Sequence, residues 1–316
     1  MRNAFAEELV TLAEHDTRVV LLSGDIGNKL FDGFKEKFPT RFFNCGVAEA
    51  NMMSVAAGMA LSGLKPVVYT IAPFVTYRCF EQIRIDVCYH NVPVVIVGVG
   101  GGLSYASLGP THHSCEELGC LRLLPNLVVA SAADPFEVKS LLRSALKGNS
   151  PCYLRIGKKG EKNVHVSPPQ IELGDCLCLA PGKDLVLLSS GTMLETTVHV
   201  AKELARRGIS AEVTTFPTIK PLDQTYLSSA EDRFKLFVTV EEHTVLGGLG
   251  SAISEWLLRD GRKPRVRLLQ FGTPDQFFEE AGETEYAREC LGLSMDHIVD
   301  RVTKFWSSAQ INSDKE

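Results

Sequence analysis

The run Val92-Pro93-Val94-Val95-Ile96-Val97-Gly98-Val99 contains no polar side chain, and it is one of several such runs. A strand that is apolar on both faces must be covered on both faces, which is the situation of a parallel sheet packed between helices. Val19-Val20-Leu21-Leu22-Ser23, Phe42-Phe43-Asn44, Pro66 to Ile71, Leu127-Val128-Val129-Ala130-Ser131 and Cys152-Tyr153-Leu154-Arg155-Ile156 read the same way. Between them the apolar period becomes helical: from Asn3 to Glu14, from Leu30 to Lys37, from Glu49 to Leu61, through Phe80, Ile83 and Val87, and from Pro135 to Leu146. Strands and helices alternating at this spacing predict crossover units and an α/β fold with a mainly parallel sheet.

A chain of 316 residues suits about two domains of ordinary size. The polar stretch Gly157-Lys158-Lys159-Gly160-Glu161-Lys162-Asn163, followed by Pro168-Pro169, is the best linker. It divides the chain into residues 1–165 and 166–316. A second α/β unit follows, each unit being a mainly parallel sheet flanked by helices. Its predicted strands are Leu185 to Ser190, Ala211 to Phe216, Lys235 to Val240 and Arg265 to Leu269. Its predicted helices run from Leu194 to Arg207, where Gly208 is a natural stop, from Leu249 to Leu258, and within Cys290 to Phe305. The polar end from Ser307 reads as loose.

The net charge of −5 argues against nucleic acid as the main partner, because phosphate backbones call for a basic face. Nine cysteines without CxxC spacing are thiols of a reducing compartment, not a disulfide framework. No apolar run reaches membrane-spanning length, and the N terminus reads as an amphipathic helix. These features predict a cytoplasmic protein.

Glu49 stands where the run Phe42-Phe43-Asn44 gives way to a helix rich in small residues. Ligands of open α/β sheets bind at the carboxyl ends of strands. An acid there, among apolar and small neighbours, is partly desolvated, and desolvation favours its protonated form. That makes Glu49 a candidate proton donor, although the helix dipole alone also favours an acid in a first turn. Gly98-Val99-Gly100-Gly101-Gly102 lacks the third glycine of a dinucleotide fingerprint, and no Walker motif or Gly-x-Ser-x-Gly elbow occurs. His112-His113-Ser114-Cys115 lacks a second cluster to complete a metal site, so no metal ligand is assigned. In Gly109-Pro110-Thr111-His112, Pro110 fixes φ and Gly109 permits an unusual turn. A stiff loop of that kind can hold one imidazole pose.

Taken in order, Gly46-Val47-Ala48-Glu49, Phe74 before Phe80-Glu81-Gln82-Ile83-Arg84, Gly109-Pro110-Thr111-His112, Leu121-Arg122-Leu123-Leu124-Pro125-Asn126 and Tyr153-Leu154-Arg155 resemble the C-terminal half of a transketolase. The resemblance covers nearly the whole chain: a pyrimidine-binding domain, then a transketolase C-terminal domain. It implies thiamine diphosphate as cofactor and transfer of a two-carbon ketol unit between phosphorylated sugars. It implies that Glu49 hydrogen-bonds N1′ of the aminopyrimidine and favours its imino tautomer. Phe74 matches the aromatic packed on that ring, with Tyr77 a second candidate for the same wall. Asp25 matches an acid near the cofactor. His112 matches the histidine near the sugar's reacting carbons, and Arg155 the arginine that grips the sugar phosphate, with a strand-end salt bridge as its other reading. Asn28 points to the same cavity.

Two departures stand out. Leu108 occupies the position of an acid that reads a substrate hydroxyl in many transketolases, which leaves the sugar open. Gly-Asp-Gly followed about 30 residues later by paired asparagines, the family's Mg²⁺ and diphosphate motif, does not occur in the sequence. The expectation is therefore a separate N-terminal subunit of roughly 250–300 residues, holding Mg²⁺ and the diphosphate, in an α2β2 assembly. A β subunit of a 2-oxoacid dehydrogenase E1, a deoxyxylulose-phosphate-synthase-like enzyme and a non-catalytic association subunit are the alternatives. Glu241-Glu242-His243 with Gly247-Gly248-Leu249-Gly250 reads as a loop-shaping and contact element without catalytic assignment.

Overall fold

The computed structural model describes residues 1–26 and 29–313. Its strands are β1 (Val19–Ser23), β2 (Phe42–Asn44), β3 (Lys65–Ile71), β4 (Val95–Val99), β5 (Val128–Ser131), β6 (Cys152–Ile156), β7 (Leu177–Ala180), β8 (Leu185–Ser190), β9 (Ala211–Thr215), β10 (Thr218–Lys220), β11 (Leu236–Thr244) and β12 (Arg267–Thr273). The first sheet has the order β10-β5-β6-β4-β3-β1-β2, and the second β12-β11-β8-β9-β7. All pairings are parallel except those of β10 with β5 and β7 with β9.

The central strands of both sheets are buried on both faces, as their apolar runs predict, whereas β2, whose run predicts the same, is an edge strand with Phe43 and Asn44 exposed. In β1, Val19 and Leu21 join one core with Phe5, Phe34 and Leu141, while Val20 and Leu22 join the opposite core with Met52, Met53 and Ile83. In β8, Leu185 and Leu187 pack with Val200, Leu204 and Ile298, and Val186 and Leu188 with Phe237, Ile253 and Trp256. Alternation along each strand therefore feeds two helical layers.

Several elements differ from the expectations. β7 and β10 are short antiparallel edge strands, and β10, although it follows β9, adds to the first sheet with Thr218 opposite Ala130. A helix Gln224–Arg233, capped by Asp223, lies where none was assigned. The end from Ser307, expected to be loose, continues the helix Met295–Ser313, because Phe305 and Trp306 anchor its earlier turns on the second core.

The linker is pinned at a three-way junction. Asp134 caps the helix Pro135–Lys147 by accepting the Glu137 amide at 2.8 Å, and its other oxygen accepts the Val164 and His165 amides at 2.9 and 3.0 Å. Glu137, fully buried, accepts the Ala133 amide, the Thr215 hydroxyl of the second sheet and His165 Nε2 at 2.7, 3.0 and 2.9 Å. Burial alone would push the His165 imidazole down, but its hydrogen bond to Glu137 and the charges of Glu137 and Asp134 carry it above the ordinary value of 6.5. A raised folded pKa gives a contribution that is complete below the unfolded value and lost as pH rises through the folded one. A hydrogen bond to a charged group contributes about 1.5–3 kcal/mol. His165→Ala is therefore expected to lower the thermal midpoint strongly near about pH 6 and weakly near about pH 9. Equal losses at both would assign the effect to packing instead of charge.

Candidate active site

β1, β2 and β3 end side by side, and the loops that follow them are tied together. Cys45 N–H donates to Ser23 O at 2.9 Å, Gly24 N–H to Tyr69 O at 3.1 Å, and Asp25 N–H to Gly46 O at 2.8 Å. Gly46 has φ +66°, which turns the chain towards the helix Glu49–Leu61. Glu49 is the first residue of that helix and is 7% exposed. Asp25 is exposed, and its carboxylate meets Asn44 Nδ2 at 3.4 Å. Asn28 lies outside the described residues.

The segment after β3 winds as the helix Ala72–Thr76, a tight turn Tyr77–Cys79, a turn Phe80–Gln82 and a wide π turn Ile83–Tyr89. Such irregular winding is frequent at functional sites, and here it sets Phe74 and Arg78 on the same side. The Arg78 guanidinium lies 4.0 Å from the Phe74 ring centroid and reaches Glu49 Oε2 at 3.5 Å. Cys79, whose thiol burial pushes up to about 12 with the Glu49 charge adding to it, fills the space behind.

His112 comes to this group from another loop. Its ring stands edge-on to Phe74 at 5.2 Å and to Tyr105 at 6.0 Å. Lys158 in turn places Nζ 4.4 Å from the Tyr105 ring. Gly109 has φ +78°, and its carbonyl accepts the His112 amide at 3.0 Å, which closes the turn that carries the imidazole. Burial first, then the charges of His113 and Arg78, push the His112 imidazole below its ordinary value, so it is neutral near pH 7. Leu108 is 52% exposed beside this turn.

Glu49, Phe74 and His112 thus converge in one connected cluster. Arg78, Tyr105 and Lys158 join it without having been singled out, since each enters through a ring or charge contact between loops that no periodicity reports. Tyr77 donates its hydroxyl to Glu116 Oε2 at 2.8 Å, and no ring contact to Phe74 or His112 is present among the described residues. Arg155 is 6% exposed at the end of β6. Its Nε lies 3.4 Å from fully buried Glu117, and its Nη2 donates to the Glu242 carbonyl at 2.7 Å. That is the geometry of a strand-end ion pair within the first domain, with the Glu242 carbonyl as its one contact across the domain seam.

Glu241-Glu242-His243, at the end of β11, forms the other side of the seam. Glu241 accepts the Leu249 and Gly250 amides at 2.7 and 2.8 Å at the start of the helix Leu249–Leu258, and burial raises its carboxyl to about 7. His243 Nε2 accepts the Gly119 amide at 3.1 Å, leaving Nδ1–H for the Thr244 carbonyl at 2.8 Å, and burial lowers it to about 4. The nine cysteines are free thiols. Among the described residues no group of three or more histidine, cysteine, aspartate or glutamate side chains is arranged to hold a metal ion, and no helix is long and apolar enough to cross a membrane.

The cluster offers a carboxyl group shielded from water, an aromatic face, a neutral imidazole and two cations. Residues 1–160 match the transketolase pyrimidine-binding domain family, and residues 174–298 the transketolase C-terminal domain family. The 6-deoxy-6-sulfo-D-fructose transketolase subunit SqwH of Clostridium sp. is 32% identical over 300 residues, covering 95% of this chain and 92% of that protein. A 1-deoxy-D-xylulose-5-phosphate synthase of Aquifex aeolicus is 33% identical over 299 residues, 94% of this chain but 47% of that protein, so the chain spans about half its length. A solved structure described as a split-gene transketolase in an inactive beta4 tetramer superposes with a TM-score of 0.87 at 32% identity, covering 97% of each chain. The chain belongs to the transketolase family and corresponds to its C-terminal section, the pyrimidine-binding domain followed by the C-terminal domain.

Proposed function

We propose that this chain is the C-terminal subunit of a heteromeric transketolase, with residues 1–165 as its pyrimidine-binding domain and 166–316 as its C-terminal domain. It works with an N-terminal subunit that brings Mg²⁺ and the diphosphate site, in an α2β2 assembly. The observation that carries this reading is the chain of contacts from Glu49 through Arg78 to Phe74 and His112 at the carboxyl ends of the first sheet. A water-shielded carboxyl group beside an aromatic face fits the pyrimidine ring of thiamine diphosphate, whose chemistry when bound is to act as the electron sink for two-carbon transfer. Glu49 holds the proton shared with the ring nitrogen, in a setting from which water is largely excluded. Phe74 packs on the ring, and Asp25 lines the same edge of the sheet. His112, uncharged near neutral pH, accepts or donates a hydrogen bond at the sugar's hydroxyl groups. Lys158 and Arg78 are the cations open to an anionic sugar, because Arg155 is engaged by Glu117 and Glu242.

The exposed face of the helix Glu49–Leu61 carries Asn51, Ser54 and Gly58, with Ser62 at its C cap, which permit a partner to approach closely. The inactive state of the split-gene relative built from one kind of chain supports the need for a second subunit. Reconstitution tests the proposal. The isolated chain is expected to show negligible thiamine diphosphate affinity and no ketol transfer, and both should appear when an N-terminal subunit bearing Gly-Asp-Gly is added. Full activity from this chain alone would reject the split assembly. The likeness to 1-deoxy-D-xylulose-5-phosphate synthase favours a second reading, condensation of an oxoacid with an aldehyde phosphate. Turnover with pyruvate but not with a ketose phosphate donor would select it.

A further inference from the structure

The glycine run Gly100-Gly101-Gly102 leaves room for Tyr105, Arg155 and, from the second domain, Glu242. A Cβ on Gly101 would fall 2.0 Å from Arg155 Nε, and one on Gly102 would fall 2.3 Å from both Arg155 Nη2 and Glu242 Oε1. Residues 102–114 then leave the first sheet and return to it: Gly102 and Ser114 exchange backbone hydrogen bonds of 2.7 and 2.9 Å. The segment between is a closed surface loop, and it carries Tyr105 and His112.

The base of this loop is held from the other domain. Glu242 is 3% exposed on β11, and its Oε1 accepts the Leu103 amide at 2.8 Å. Its Oε2 pairs with Arg288 Nε, and its backbone carbonyl takes the Arg155 guanidinium. Arg288, on the helix Thr284–Cys290, is itself steadied by Glu285 and Thr192. The Thr284 hydroxyl donates to the Leu103 carbonyl at 3.2 Å. Leu103, Ala106 and Cys115 pack with Phe278, Ala287 and Leu291 in a separate apolar cluster. The Leu103 amide is therefore satisfied by the second domain, and the Leu103 carbonyl, which also accepts the Ala106 amide at 2.9 Å, gains a second donor there.

We propose that Glu242 is a positioning residue: by holding the Leu103 amide and the Arg288 guanidinium it seats the 102–114 loop, and through it His112. This rests on the reading of His112 as an active-site residue. Without the carboxylate the buried Leu103 amide loses its partner and the half-buried Arg288 guanidinium keeps only Glu285 and Thr192, which destabilises the seated loop relative to an open one. Misplacement of a reacting group by about 1 Å costs on the order of 10²-fold in rate.

Hydrogen-exchange mass spectrometry on the isolated chain separates this from general destabilisation. In Glu242→Ala, exchange across residues 102–114 is expected to accelerate at least about tenfold, with β1 and β4 unchanged. Glu242→Gln keeps an oxygen for the Leu103 amide and should accelerate it less. In the holoenzyme reconstituted with its N-terminal subunit, Glu242→Ala should lower kcat at least about tenfold and leave the dissociation constant of thiamine diphosphate unchanged. Should Glu242→Ala fail to fold, Thr284→Val carries the same test, with a smaller acceleration confined to the loop. Unchanged loop exchange in a folded variant overturns the proposal, as does a loosened loop with unchanged kcat in an enzyme that His112→Ala inactivates. If His112→Ala leaves activity intact, the reading of His112 falls, and the exchange result still decides whether Glu242 seats the loop.

Discussion

Glu49→Ala is expected to lower kcat of the reconstituted enzyme by at least about 10²-fold, the scale of a lost acid–base group, while the chain remains folded. The two halves of that expectation come from different physics. Glu49 opens the helix Glu49–Leu61, which has no side-chain cap, and an acid in a first helical turn contributes about 0.3–1 kcal/mol through the dipole. Its one polar side-chain contact is the 3.5 Å approach of Arg78, whose own side chain is more than half exposed, and pairs with an exposed partner contribute little. Stability therefore has small reason to change. Activity has large reason, because Glu49 is the carboxylate joined through Arg78 to Phe74 and His112. Glu49→Gln keeps the shape and a hydrogen bond yet cannot carry the proton, so it should fall with the alanine variant. A kcat within about threefold of the parent in Glu49→Ala, measured with thiamine diphosphate saturating, would remove Glu49 from the chemistry and return it to the role of a helix-start acid.

The parts of this molecule that were legible in the sequence share one property: their signal is local. β1, β4 and β8 are apolar on both faces because helices cover both faces, so a continuous run announces them. β10 could not be found that way. Thr218-Ile219-Lys220 is three residues long, and its place on the first sheet is set by β5 nearly ninety residues earlier, a pairing that no period encodes. The site divides likewise. Gly109 sits at positive φ where its motif predicted an unusual turn, and Glu49, Phe74 and His112 converge. Arg78 and Lys158 were passed over because a cation on an irregular segment looks alike in sequence whether it faces solvent or an aromatic ring. Gly100-Gly101-Gly102 invited a nucleotide reading, yet the missing side chains make room for Arg155 and Glu242. An arginine at a strand end suits a phosphate or a carboxylate equally, and only the fold brings Glu117 to it.

That choice can be put to measurement. Arg155→Ala is expected to destabilise the isolated chain by about 3–5 kcal/mol, the cost of removing one partner of a buried ion pair and leaving the other charge behind. The charge left behind is that of Glu117, fully buried, whose second oxygen already has no hydrogen-bond partner among the described residues. Burial raises the Glu117 carboxyl, and the Arg155 guanidinium is the largest influence working against it. Without the guanidinium the protonated form gains. A carboxyl whose folded pKa lies above its unfolded one adds stability that is complete below the unfolded value and disappears as pH rises through the folded one. The variant's deficit should consequently be greatest at neutral and alkaline pH and shrink on acidification, and adding Glu117→Gln to Arg155→Ala should restore part of the loss, since the double variant buries no unpaired charge. If the main task of Arg155 were to grip a sugar phosphate, Arg155→Ala would leave the unfolding free energy within about 0.5 kcal/mol of the parent and raise KM for phosphorylated sugars alone. A chemical-denaturation series of the parent, Arg155→Ala and the double variant, taken between about pH 5 and pH 8 without any partner subunit present, therefore decides whether this guanidinium neutralises a buried carboxylate or waits for a substrate.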